Sequence, residues 1–123
     1  MYKILEILGA KLEKKNGKIK IDTSKIEKYE IPPELMHKMR SSVILAGALL
    51  GRYKKAIFSY PGGCDIGSRP IDLHLKSFEK LGIQVNQIHG NIECNAEKIH
   101  GEKIDFDFPS VGATENAILA SVL

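Results

Sequence analysis

Apolar residues recur along the chain at helical and strand spacings, and one succession of spacings occurs twice. ILEILGAKLEKKNGKIKI, from Ile4 to Ile21, aligns with SFEKLGIQVNQIHGNIEC, from Ser77 to Cys94. Leu8-Gly9 falls on Leu81-Gly82, Leu12 on Val85, Gly17 on Gly90 and Ile19 on Ile92. Each copy predicts a helix ended by glycine, a short strand, a two-residue Asn-Gly or His-Gly turn, and a second strand. Identity is sparse, but punctuation and apolar positions agree, which is the mark of an internal duplication. Cys94 occupies the place of Ile21, so it reads as a small buried hydrophobe.

The pattern continues beyond these copies. Met39, Val43, Ala46 and Leu50 form one stripe and predict a helix over 36–50. Ser110 to Leu123 predicts its counterpart, again small and apolar. A proline-marked loop precedes each, IPPEL and DFDFPS. AIFSY reads as a strand, and PGGCDIGSRP is the most loop-like segment of the chain. RPIDLHLKSFEKLG predicts a helix with Pro70 near its first position, Gly82 at its cap, and Ile71, Leu75, Phe78 and Leu81 on its buried face. The expected class is α+β, in two repeat portions of about 1–60 and 61–123. Met1 opens straight into a helical pattern without a capping residue, and Leu123 closes ILASVL without glycine, proline or a basic last turn. These abrupt ends lead us to expect a slice of a larger protein.

Composition narrows the function classes. The 123 residues are 43% hydrophobic and 27% charged, enough to bury a core without staples and against disorder as the main state. No apolar run reaches the ~18 residues of a membrane span, and the N-terminus lacks the apolar core and cleavage site of a secretory signal. A net charge of +3 is too mild to argue for nucleic acid. Cys64 and Cys94 make no disulfide framework, and no Cys/His set has zinc spacing. Two free thiols without an export signal suggest a reducing cytoplasm.

Three segments stand out chemically. Gly62, Gly63 and Gly67 surround Cys64, so its thiol is expected on an exposed loop, with Arg69 near enough in sequence to favour the thiolate; a surface turn with an incidental cysteine is the plain alternative. Ser68 to Asp72 opens a helix whose free N–H groups suit phosphate or carboxylate, helped by the Arg69 fork, or is simple capping. Pro109 to Thr114 opens another, with Ser110 as N-cap and Gly112 marking a close approach by a backbone or a ligand. Together the two helix starts suit a diphosphate. Arg40 reads as a solvated arginine on a helix with an apolar face, and His74 as a structural or hydrogen-bonding residue. Arg52-Tyr53-Lys54-Lys55 reads as a solvated helix exit, too short for a nucleic-acid surface.

MRSSVILAGALLGR, PGGCDIGSRPIDLHLKSFEKLG and FPSVGATENAILAS, in this order, resemble the enolpyruvyl transferase family, and within it the UDP-N-acetylglucosamine 1-carboxyvinyltransferases. The resemblance covers essentially the whole chain. It implies a portion of the first domain of a two-domain, inside-out α/β barrel (prism) built from βαβαββ-type repeats. It implies transfer of enolpyruvyl from phosphoenolpyruvate to the 3′-hydroxyl of UDP-N-acetylglucosamine, the first committed step of peptidoglycan synthesis, in the cytoplasm. Cys64 matches the loop cysteine that protonates the phosphoenolpyruvate methylene, forms a covalent adduct with it and is alkylated by fosfomycin. Arg69, Pro70, Ile71, Asp72 and Leu73 match the segment that holds the uridine nucleotide. Arg40 matches an arginine on the nucleotide-sugar side, and Ser110, Val111 and Gly112 the second nucleotide-binding turn. The scheme implies no cofactor and no metal, no nucleic-acid or membrane partner, and the remainder of a longer chain.

Departures accompany the match. Phe108 stands where some members carry lysine, and the family's N-terminal Lys-Asn pair and second-domain aspartate have no counterpart. The chain alone is therefore expected to lack transferase activity. The rival readings are the related shikimate-pathway enolpyruvyl transferase and a non-catalytic nucleotide-sugar-binding or structural module.

Overall fold

A computed structural model describes residues 1–61 and 71–123, and of Arg40 the backbone. Helix α1 (Tyr2–Leu8) ends at Gly9, whose φ of 114° is the left-handed cap that glycine adopts without strain. Strands β1 (Lys11–Lys15) and β2 (Lys18–Asp22) follow as an antiparallel hairpin, Lys15 paired with Lys18. Its turn residues Asn16 and Gly17 both have positive φ, as a two-residue hairpin turn of this twist requires.

The same unit recurs. Helix α4 (Asp72–Lys80) runs to Gly82 at φ 83°, then β4 (Gln84–Ile88) and β5 (Asn91–Asn95) form a second hairpin, with His89 and Gly90 at positive φ. Strand β3 (Lys55–Ser59) pairs antiparallel with β5, so the second sheet has the order β3-β5-β4. The segment before the first long helix adds a parallel bridge at the outer edge of β3, where Ile57 exchanges backbone bonds with Tyr29 and Ile31 at 2.8 Å each.

The expected helix over 36–50 is not continuous. A short helix, α2 (Pro33–Met36), stops; Met39 is extended at φ −151°, ψ 110°; a 3-10 turn spans Arg40–Val43; and α3 (Ile44–Tyr53) carries on past Leu50. Two carbonyl bonds favour the break. The backbone N–H and the hydroxyl of Ser42 both donate to the Met39 carbonyl, a local alternative to the helical ladder. The apolar stripe still held, with Val43, Ala46 and Leu50 buried. Helix α5 (Val111–Ser121) matches its expected position, capped by the Ser110 hydroxyl, which accepts from the Ala113 N–H at 3.3 Å. Helix α4 starts later than expected: Ile71 is its N-cap and Asp72 its first residue, while Pro70 lies outside the described residues.

Helices α3 and α5 run in the same direction in close contact. A Cβ on Gly47 would collide with the backbone and side chain of Asn116, and one on Gly51 would stand 2.5 Å from the Leu119 carbonyl. Small residues one turn apart let two backbones approach this closely. Phe58, Phe78, Leu50, Met36, Ile71 and Ile92 fill the core between the helices and the three-stranded sheet. Among the described residues, no helix is long and apolar enough to cross a membrane.

Candidate functional site

The starts of α3, α4 and α5 meet at one buried side chain, that of Asn116. Its Nδ2 donates to the Val43 carbonyl at 3.0 Å, and its Oδ1 accepts from the Gly47 N–H at 2.9 Å. These two backbone groups sit four residues apart at the junction of the 3-10 turn and α3, so the asparagine amide bridges the positions that a helix would join directly. The second Nδ2 hydrogen points at His74 Nδ1, 2.9 Å away. His74 is the third residue of α4 and Gly112 the second of α5, and a Cβ on Gly112 would lie 3.3 Å from the His74 ring. The first turns of α4 and α5 are thereby in contact.

This places several of the sequence-derived residues. Ser110, Val111 and Gly112 form the first turn of α5, with Val111 77% exposed. Asp72 is exposed at the first turn of α4. Ile71 is buried in the core, so its side chain is closed to a ligand. Leu73 is buried and borders a cleft of about 400 Å³ along α4. Lys76 and Asp107 form an ion pair at 3.1 Å on that cleft's wall, and Glu79, Lys80 and Asp105 also line it, so its charge is mixed. Arg40 opens the 3-10 turn leading into α3. Cys64, Arg69 and Pro70 lie outside the described residues.

The described part offers helix starts rather than titratable side chains. A helix start holds unsatisfied N–H groups and the positive end of the dipole, and two such starts here stand side by side. The close approach expected at Gly112 is made by the His74 ring, not by another backbone. His74 and Ser110 have the structural roles expected of them. Asn116 was not singled out from the sequence. A usable signal was there, since a polar residue inside the small, apolar run VGATENAILAS must find partners if buried. Cys94 is fully buried, and desolvation, with a smaller contribution from Glu79, pushes its thiol up to about 12. Among the described residues no three His, Cys, Asp or Glu side chains gather as metal ligands.

Comparison with known proteins fits this architecture. The profile of the EPSP synthase (3-phosphoshikimate 1-carboxyvinyltransferase) family matches residues 1–123. UDP-N-acetylglucosamine 1-carboxyvinyltransferase 2 of Caldanaerobacter subterraneus is 50% identical over the entire chain, and UDP-N-acetylglucosamine 1-carboxyvinyltransferase 1 of Clostridium acetobutylicum is 48% identical over 97% of it. The chain spans about 30% of the length of these curated relatives. Among solved structures, the enolpyruvyl transferase NikO of Streptomyces tendae superposes on 96% of the chain with a TM-score of 0.75 at 20% identity, covering 28% of that protein. EPSP synthase of Acinetobacter baumannii superposes on 97% with a TM-score of 0.64 at 17% identity, again over 28% of its length. The α+β fold is thus shared with part of these enzymes, and a profile match from the first residue to the last shows that the chain belongs to the EPSP synthase family.

Proposed function

We propose that this chain is the cysteine-loop-bearing part of the first domain of a UDP-N-acetylglucosamine 1-carboxyvinyltransferase, in repeat portions of about 1–60 and 61–123. The observation that carries the reading is the convergence of three helix starts on one buried asparagine, in a chain about half identical throughout to proteins of that name. The enzyme joins the sugar 3′-oxygen to C2 of phosphoenolpyruvate as the hydroxyl proton leaves to a base of the second domain, while a proton is added at C3. Cleavage of the C2–O bond to phosphate and loss of a proton from C3 then restore the double bond.

Protonating an enol carbon builds positive charge at C2, so the step needs a well-placed acid. Cys64 is that acid, and as a thiolate it is also the nucleophile of an adduct with phosphoenolpyruvate and the target of fosfomycin. Arg69 offsets phosphate and carboxylate charge. The uridine diphosphate lies across the starts of α4 and α5, held by backbone N–H groups from Ile71, Asp72 and Leu73 and from Ser110, Val111 and Gly112; Pro70 and Arg40 are assigned to the nucleotide-sugar site from the family resemblance. The reading takes no metal or cofactor, a cytoplasmic setting, and a role in cell-wall synthesis and hence in cell shape and division.

The test is phosphate release from phosphoenolpyruvate. An enzyme of full family length carrying these residues is expected to turn over with UDP-N-acetylglucosamine and not with shikimate 3-phosphate. Cys64→Ala should lower kcat at least about 100-fold, and the 123-residue chain alone should give no turnover. Turnover with shikimate 3-phosphate only, or by the isolated chain, overturns the reading.

A further inference from the structure

We propose that Asn116 is a positioning residue that sets the spacing of the three segments holding the nucleotide sugar; this rests on the function proposed above. The side chain is completely buried, and both amide hydrogens and the amide oxygen are bonded. One Nδ2 hydrogen goes to the Val43 carbonyl, the other to His74 Nδ1, and Oδ1 takes the Gly47 N–H. These partners belong to two helix starts, and the asparagine itself to a third helix. Val43 and Gly47 fix the junction of α3 with the turn that carries Arg40. His74 lies one residue beyond Leu73 in the first turn of α4. Asn116 itself stands in α5, little more than a turn after Gly112, against which the His74 ring rests.

The arrangement also selects a tautomer. Both amide hydrogens of Asn116 point outward, so His74 Nδ1 faces a donor and must accept, and the ring proton sits on Nε2, at the Gly112 side. A Cβ at that position would stand 3.3 Å from the ring, a tight contact that glycine avoids. A change at Asn116 therefore moves no ligand contact directly. It releases the three starts from one another and alters the separation of the N–H groups that face the diphosphate.

The experiment compares two variants of the full-length enzyme. Asn116→Asp keeps the size of the side chain and replaces both donors by acceptors, opposite the Val43 carbonyl and His74 Nδ1. Gly51→Ala strains the same α3–α5 contact one turn farther from the helix starts, against the Leu119 carbonyl, and serves as the stability control. The expected result is a KM for UDP-N-acetylglucosamine raised about tenfold or more in Asn116→Asp, with kcat and the KM for phosphoenolpyruvate within about threefold of wild type. Gly51→Ala should lower Tm and leave that KM within about twofold. An unchanged KM in Asn116→Asp overturns the proposal while wild-type turnover leaves the parent function standing, and an equal rise in Gly51→Ala overturns it as well. Absence of wild-type turnover removes the function and the ligand named here together. Imidazole 15N shifts of the wild-type enzyme give a reading independent of activity and of variant folding. A proton on Nε2 of His74 is expected, and one on Nδ1 overturns the proposal.

Discussion

The hairpin of β1 and β2 and the hairpin of β4 and β5 are built by the same local chemistry and end in different environments. Both follow a helix closed by a positive-φ glycine, and both turn through two positive-φ residues. Their first strands match even in exposure, with only Leu12 and Val85 partly covered. The second strands diverge. β5 lies between β3 and β4, with Ile92 and Cys94 fully buried, whereas β2 pairs with β1 alone among the described residues and leaves Ile19 and Ile21 more than 40% exposed. Turn residues thus set the shape of each unit, and the neighbour beyond the second strand sets what that unit contributes to stability.

The sharpest way to break this comparison is to truncate the two corresponding isoleucines. Ile92→Ala opens a cavity beneath the helices, next to Phe58 on β3, and should cost about 3–4 kcal/mol. Ile19→Ala removes a side chain that is 41% exposed on a solvated ribbon and should cost about 0.5 kcal/mol. Denaturant unfolding of both variants measures the difference. Equal losses would mean that β2 is as well packed as β5.

The next effect concerns the position where the copies differ chemically, Cys94 in place of Ile21. Burial holds the Cys94 thiol up at about 12 against an ordinary 9.0. The folded state therefore favours the neutral thiol. Its contribution to stability is complete below pH 9 and is lost as pH rises from 9 towards 12, because only the unfolded chain ionises easily in that window. Unfolding free energy followed over pH 8–11 should fall more steeply for wild type than for Cys94→Ala. At neutral pH Cys94 should resist thiol reagents and Cys64 should react faster; equal rates would contradict the expectation that Cys64 lies on an exposed loop.

Much of this was legible in the sequence because it depends on residues close together in the chain. The glycine caps, the Asn-Gly and His-Gly turns, the Ser110 cap and the buried face of α4 all follow from local rules. The break at Met39 was not legible, since the stripe from Met39 to Leu50 has helical spacing whether or not the first turn is helical. What decides it is a competing bond set at one carbonyl. Asn116 was missed for a different reason: its three partners lie at Val43, Gly47 and His74, and only the close contact of α3 with α5 brings them together. Gly47 and Gly51 announce that contact in retrospect, but a spacing of small residues does not name the helix it will meet. Of the site residues, the helix starts were readable from caps and prolines, while their convergence belongs to tertiary packing.

The smallest expected effect lies at the end of the exposed hairpin. The Ser24 N–H donates to Asp22 Oδ1 at 2.9 Å, closing a local turn after β2. Bonds from the Ser24 side chain and backbone hold the Asp22 carboxyl below its ordinary 3.8, with nearby Lys11 and Lys20 adding to the effect. A lowered carboxyl contributes stability above its unfolded pKa and loses it as pH falls through the folded value. Here the carboxyl is fully solvated, so water replaces most of what the turn supplies. Ser24→Ala should therefore raise the Asp22 titration midpoint seen by NMR, because the hydroxyl bond is lost, and leave Tm unchanged at neutral pH. A clear fall in Tm would show that the turn after β2 is coupled to the core, and the contrast between a solvated first hairpin and a buried second one would then have to be drawn closer to β1.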